Sequence, residues 1–202
     1  ITAINYLNEI VPLDTQFYLV KIQVFRISNS EPAPLFTIEA GPSEERRASG
    51  AMKKELAEKD KKRLEFFQGV LTKCNKNTKL FSNISPVGYQ GWLATGAGKS
   101  GLSWQFVIMK HSARVELFFC DQDAEVNKTR FLKLREKADE IENNFGYPVI
   151  WDLKEERKQQ YIRTSIEIGG LDDEDKWDRI QEEMVNRLVK FEEALTPYIK
   201  VL

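Results

Sequence analysis

The sequence predicts an α+β fold, a largely antiparallel sheet flanked by helices in the order α-β-β-β-α-β-β-α, preceded by a short βα-type remnant of an upstream domain. Three observations carry this expectation. Residues 105–109 (QFVIM) and 114–119 (RVELFF) are two apolar runs rich in β-branched and aromatic side chains, with only four residues between them, a spacing that makes an antiparallel hairpin. From Trp177 to Tyr198 the apolar residues step by three or four, the period of a helix with one buried stripe. The pattern changes near Pro42, where a short alternating stretch gives way to a long, highly charged one. A chain of 202 residues suits one domain with a piece of another. No apolar run approaches the roughly 20 residues that a membrane-crossing helix needs.

The first part, residues 1–42, is slight. Residues 2–10 read as a short helix, Pro12-Leu13-Asp14 as a turn, and residues 17–27 as a strand whose second half places Ile22, Val24 and Arg26 on one face. Ser, Asn and Pro over residues 28–34 force a turn before residues 35–40 resume as a strand. One helix and two strands bury too little to stand alone. The chain also opens on Ile1 where an initiator methionine would stand, which fits a segment of a longer protein.

Residues 43–79 read as one long helical stretch. Its front half, to about residue 62, is polar on every side and is expected to be a linker helix. Its later half carries the apolar stripe Leu64, Phe67, Leu71 and Cys74, with Phe66 and Val70 beside it. After the glycine-rich segment and its strands, Asp121-Gln122-Asp123 is expected to cap one helix burying Phe131, Leu134, Ala138, Ile141 and Phe145 and stopped by Gly146 and Pro148. Residues 149–153 and 161–168 read as strands. The acidic run 172–175 suits the positive N-terminal end of the last helix.

Gly98-Lys99-Ser100 has the ending of a phosphate-binding loop, and the spacing rejects it. That loop needs a glycine five positions before the one in Gly-Lys-Ser, and Leu93 stands there. It must also open a helix whose N-terminus faces the anion, whereas strand-like residues 101–108 follow. The glycines are expected to bend backbone between neighbouring strands. Cys74 and Cys120 have no metal-ligand spacing and there is a single histidine, His111, so neither a zinc cluster nor any other metal site or cofactor is expected. Both thiols are read as core residues of a protein in a reduced, cytoplasmic setting. His111 is expected in a solvent-exposed turn.

The formal charge of −1 conceals an asymmetry. Residues 43–119 hold 14 Lys or Arg against 7 Asp or Glu, and residues 120–202 hold 14 against 20. The basic half is either an electrostatic footprint for nucleic acid or the solvated face of a helix with acid–base pairs four residues apart. Glu116 poses a similar choice. Alternation along residues 114–119 places Arg114, Glu116 and Phe118 on one face and Val115, Leu117 and Phe119 on the other. The simpler reading is a cross-strand salt bridge on an exposed face. The functional one is a polar patch of Arg114 and Glu116 with Trp92, Lys99 and Trp104.

Several motifs together resemble a bacterial family known as domain of unknown function 4268. They are LFSN-x-SP over residues 80–86, Trp92, G-x-G-x-SG-x-S over 96–103, FVI at 106–108, ARVEL at 113–117 and a terminal helix ending in ALTPYI at 194–199. The resemblance covers about residues 60–200. Residues 1–42, with LNE on a helix, the strand FYLVKIQVFRI and S-x-PAP-x-F, are similar to the closing elements of a PD-(D/E)xK nuclease-like domain. Together these imply a remnant of a nuclease-like domain at 1–42, a linker helix at 43–62 and an α+β domain at 63–202. They imply an accessory C-terminal role in a DNA-associated restriction or defence protein, with no activity to carry over.

A metal-dependent nuclease within the chain would need paired carboxylates and a lysine. Asp152-Leu153-Lys154 has the D-x-K form and Glu116 offers a second carboxylate, but a helix separates their strands where the nuclease fold uses a hairpin. Three functions stay open. One is a DNA-associated accessory module using Lys99, Arg114, Tyr89, Trp92 and Trp104. The second is a protein-interaction or oligomerisation module mating through the long helix at Leu64 and Phe67, and the third an enzyme with an unrecognised site. DNA, the upstream domain and a second copy are the candidate partners, with no membrane among them.

Overall fold

A computed structural model describes every residue except Ile27, Asn29 and Ser30. The chain divides into two compact units, Ile1–Lys59 and Asp60–Leu202. The first contains α1 (Thr2–Ile10), β1 (Leu19–Phe25), β2 (Ala33–Ala40) and the beginning of α2 (Glu44–Asn77). The two strands form an antiparallel ribbon that pairs Leu19 with Ala40 and Phe25 with Ala33. Asn8 ties α1 to the entry of β1, donating to the Phe17 carbonyl and accepting from its N–H, both at 2.9 Å. The strand expected to reach residue 27 ends at Phe25; Ile27, and Asn29 and Ser30 of the expected turn, lie outside the described residues. Within the ribbon only Ala40 is buried, while Ile22, Val24, Leu35, Phe36 and Ile38 face outward.

The second unit continues α2 and adds β3 (Trp92–Gly96), β4 (Leu102–Ile108), β5 (Ala113–Phe119), α3 (Ala124–Arg135), α4 (Ala138–Phe145), β6 (Ile150–Asp152), β7 (Gln160–Ile166) and α5 (Trp177–Ile199). The strands form one antiparallel sheet in the order β3-β4-β5-β7-β6. Adjacent chain segments pair as hairpins, and β7 enters between β5 and β6. The inner face carries Leu93, Trp104, Phe106, Val115, Leu117 and Ile162, all buried. α5 packs across β5 and β7, α3 against β7, and α4 against α5. Phe191 of α5 meets Trp104 at 5.7 Å and Phe145 of α4 at 4.6 Å between ring centroids. The later half of α2 completes the layer through Phe66, Phe67, Val70, Leu71 and Cys74, and Gly69 lets Gln181 approach it closely. Among the described residues no helix is long and apolar enough to cross a membrane.

Two expectations need correction. The single helix foreseen between Asp123 and Phe145 is two helices. Asp123 caps the first by accepting from the Glu125 N–H at 2.9 Å. A tight Lys137 N–H to Leu134 carbonyl bond of 3.0 Å then ends it. The break lets Phe131 reach Phe119 and Trp151 at the sheet while Phe145 reaches Phe191 on α5. One straight helix would not address both layers. The thiols also part company: Cys74 is buried, but Cys120, one residue past β5, is exposed.

Gly98-Lys99-Ser100 lies in the turn joining β3 to β4, and no helix begins there. Gly98 and Gly101 take positive φ, 80° and 77°, the left-handed region that glycine enters without steric cost. The Leu102 N–H closes the turn onto the Lys99 carbonyl at 3.1 Å. At the other end of the sheet, the β4–β5 turn with exposed His111 is held by the Gly169-Gly170 segment. Leu171 N–H donates to the Met109 carbonyl at 2.8 Å and Asp172 N–H to the Lys110 carbonyl at 3.1 Å.

Candidate functional site

The outer face of the five-stranded sheet is where the chemistry-bearing side chains converge. Pairing sets Gln105, Glu116 and Arg163 in one row across β4, β5 and β7. On one side of that row lie Trp92, Val107 and Arg114, and on the other Ser103, Phe118, Tyr161 and Asp152. A cavity of about 270 Å³ opens on this face, lined by Trp92, Gln105, Val107, Arg114, Glu116, Phe118 and Tyr161. Aromatic side chains wall it, and a carboxylate, a guanidinium and an amide floor it.

Glu116 is the unusual member. β5 is the central strand, so neighbours on both sides cover its side chain, and the residue is only 1% exposed. Its ion pair is with Arg114, two residues earlier on the same strand, and not across strands as the alternation suggested. Arg114 Nε stands 2.8 Å from Glu116 Oε2. The N–H nevertheless misses the oxygen in direction, so both atoms are buried without an aligned hydrogen-bond partner. Burial pushes the Glu116 carboxyl above the usual carboxylate range, against the opposing pull of Arg114, Arg163 and Arg157. Desolvation is the largest of these influences and outweighs the charge and hydrogen bond of Arg114.

Asp152, the other acid of this face, is satisfied. Arg163 and Arg157 both pair with its carboxylate, Arg157 Nη2 at 3.2 Å. Arg157 is set by Gln160, whose amide bonds to backbone at Lys154 and Arg157 and staples the β6–β7 loop. Its guanidinium lies 4.7 Å from the centre of the Tyr161 ring, which Arg163 also approaches at 5.6 Å and on which Phe118 stacks at 4.9 Å. Burial and the Glu116 charge raise the Tyr161 phenol, so it stays neutral.

The structure gathers some of the expected residues and scatters others. Arg114, Glu116 and Trp92 share the cavity. Trp104 lies on the opposite face, 1% exposed against Phe191, and is core, unavailable to stack on a ligand. Lys99 sits in the β3–β4 turn, beyond the Gly96 end of β3 and away from Trp92 and Arg114, where its Nζ donates to the Leu202 carbonyl. Tyr89 is 70% exposed in the loop before β3, with its carbonyl accepting from Arg63 at 3.2 Å. Phe67, proposed as a mating residue, is wholly buried in the core of its own unit.

Glu116 and Asp152 do occupy one face, but β7 runs between their strands with Arg163 beside both. Asp152 is also two positions off the Glu116 row, and its carboxylate is taken up by Arg157 and Arg163. Among the described residues no three His, Cys, Asp or Glu side chains come together as a ligand set. The alternation of Tyr161 and Arg163 along β7, and of Ser103 and Gln105 along β4, was present in the sequence. Without the strand order it did not point at Glu116.

The unit at 60–202 is thus an α+β domain with one sheet face packed by helices and the other presenting a polar, aromatic-walled cavity. Residues 62–199 match the family model described as Domain of unknown function (DUF4268), and the chain belongs to that family. No curated protein and no solved structure matches it.

Proposed function

We propose that this DUF4268 domain is a nucleic-acid-binding module, an accessory to a nuclease-like domain in a DNA-associated restriction or defence protein, and not itself the catalyst. The observation that supports this most is the outer sheet face, where Trp92 (46% exposed) stands beside Arg114 on a cavity walled by Phe118 and Tyr161. Cations for phosphate and flat rings for bases are the two groups that nucleic-acid recognition requires on one surface. The exposed ribbon of the first unit supports the second half of the reading. Its apolar side chains are exposed on both faces and call for cover, which a nuclease-like domain would supply.

Binding of labelled oligonucleotides by fluorescence anisotropy tests the interface. Affinity should fall steeply between about 50 and 200 mM salt, and Arg114→Ala should reduce the slope of log K against log salt by about one. Absence of binding, or binding indifferent to salt, removes the proposal.

A further inference from the structure

We infer that β3 is a pairing edge for a second copy of this chain, two copies joining antiparallel about Ala94 into one continuous sheet. The inference stands apart from the nucleic-acid reading above. β3 is the outermost strand in the order β3-β4-β5-β7-β6, so only one of its sides is paired. Its ladder with β4 is bracketed by two bonds, Ile108 N–H to the Gly91 carbonyl at 2.9 Å and Ala97 N–H to the Leu102 carbonyl at 3.1 Å. Bonded and non-bonded pairs alternate along an antiparallel ladder, so Leu93 and Thr95 also turn their backbone groups toward β4. Trp92, Ala94 and Gly96 turn theirs outward. Among the described residues, these three make no backbone bond to another segment.

An open edge invites pairing, and proteins ordinarily block it with charge, proline or brevity. The opposite edge, β6, uses all of these: it spans three residues, carries Asp152 and is preceded by Pro148. β3 is longer and has neither charge nor proline. From Leu80 to Gly98 the chain holds no Asp, Glu, Lys or Arg, although 30% of the whole is charged. The edge is left undefended.

Its composition selects the occupant. Antiparallel pairing of β3 with itself sets Ala94 opposite Ala94 of the partner subunit and Trp92 opposite Gly96 of the partner subunit. This register joins all three outward residues of each copy, and it places a small side chain on the two-fold axis. Space above Gly96 is open, since an added Cβ there meets nothing within 4 Å. Trp92, 46% exposed, is the ring that fills it from the other copy, as aromatic side chains cover glycines on neighbouring strands. No like charges meet along the seam, and a net charge of −1 leaves little repulsion between copies. An unrelated extended peptide satisfies the backbone but brings no glycine under Trp92 and no tryptophan over Gly96.

Sedimentation velocity on the 202-residue chain over a concentration series tests this. The parent should pass reversibly from one chain to two as concentration rises. Ala94→Lys and Ala94→Glu each oppose like charges on the axis and should each weaken association about tenfold or more. An equimolar mixture of the two should recover the dimer through a lysine–glutamate pair, which requires that both are folded and that position 94 faces itself. Hydrogen exchange on the parent needs no substitution: the amides of residues 92–96 should gain protection as concentration rises. A parent that stays monomeric, a dimer that survives in the lysine variant, or protection that does not change with concentration overturns the inference. Loss of association in both variants without recovery on mixing, with circular dichroism showing both folded, overturns it as well.

Discussion

Arg114 and Glu116 are partners along one strand, two residues apart, with Nε and Oε2 separated by 2.8 Å and misaligned as a hydrogen bond. A pair of this kind is costly to bury, because the desolvation of the carboxylate is only partly offset by its neighbour's charge. Its persistence at the centre of an otherwise well-packed sheet is the strongest structural sign that the outer face serves something besides stability.

The same pair makes stability depend on pH in a defined direction. Burial raises the folded-state pKa of Glu116 above its unfolded value, with Arg114, Arg163 and Arg157 opposing. The contribution of this group is therefore fully present below the ordinary carboxyl pKa of 4.5 and is lost as pH rises through the elevated folded value. Glu116→Gln, which cannot ionise, is expected to raise the urea midpoint at pH 7 relative to the unmodified protein. The gain should shrink toward pH 4. A variant less stable than the parent at pH 7 contradicts the account.

The two tryptophans of the sheet should separate cleanly. Trp104 is enclosed by the helical layer, so Trp104→Ala should cost about 3–5 kcal/mol in denaturant unfolding. Trp92 is 46% exposed at the rim of the cavity. Trp92→Ala should shift stability by less than about 1 kcal/mol while weakening oligonucleotide binding. Comparable destabilisation by both substitutions would show that the faces are wrongly assigned.

Gly170 is closed in by the β4–β5 turn: a Cβ there meets the Met109 carbonyl oxygen at 2.4 Å and the N–H nitrogens of His111 and Ser112 at 2.5 Å. Those neighbours are backbone and cannot rotate aside. Gly170→Ala should destabilise at the upper end of the roughly 1–3 kcal/mol typical of overpacking, read as a lowered thermal midpoint. Gly96→Ala, where an added methyl meets nothing within 4 Å, is the matching control.

The thiols offer a test needing no substitution. Cys74 is buried and burial pushes its thiol up to about 11, whereas Cys120 is exposed. Since the thiolate is the reactive form, a maleimide at pH 7 should add one label to the native protein, at Cys120 by peptide mass mapping. A second label should follow only on unfolding. Early modification of Cys74 would mean that the α2 packing is wrong.

Much of this architecture was legible in one dimension. The period of α5 named Ile180, Met184, Leu188, Phe191 and Leu195, all buried, and Trp177 and Tyr198, which are half-buried at its ends. The missing glycine at position 93 and the strand after Ser100 disposed of the phosphate loop, and the turn geometry agrees. Alternation along β5 separated Arg114, Glu116 and Phe118 from Val115, Leu117 and Phe119. Three of the expectations that failed share a cause. Trp104, Cys120 and Glu116 were judged by their immediate neighbours, while burial depends on what lies across the sheet or on top of it.

Local periodicity determined which side chains of a segment share a face and, the break between α3 and α4 apart, which segments become helices and strands, because both properties follow from the repeat of the backbone itself. The order of strands belongs to the folded chain. Nothing in the residues of β7 announces that it slips in between β5 and β6, yet that placement sets Arg163 beside Glu116 and encloses the carboxylate. Such pairings join segments some 45 residues apart, Glu116 to Arg163 among them. They are decided by the collective burial of the inner face, which no single window of sequence contains.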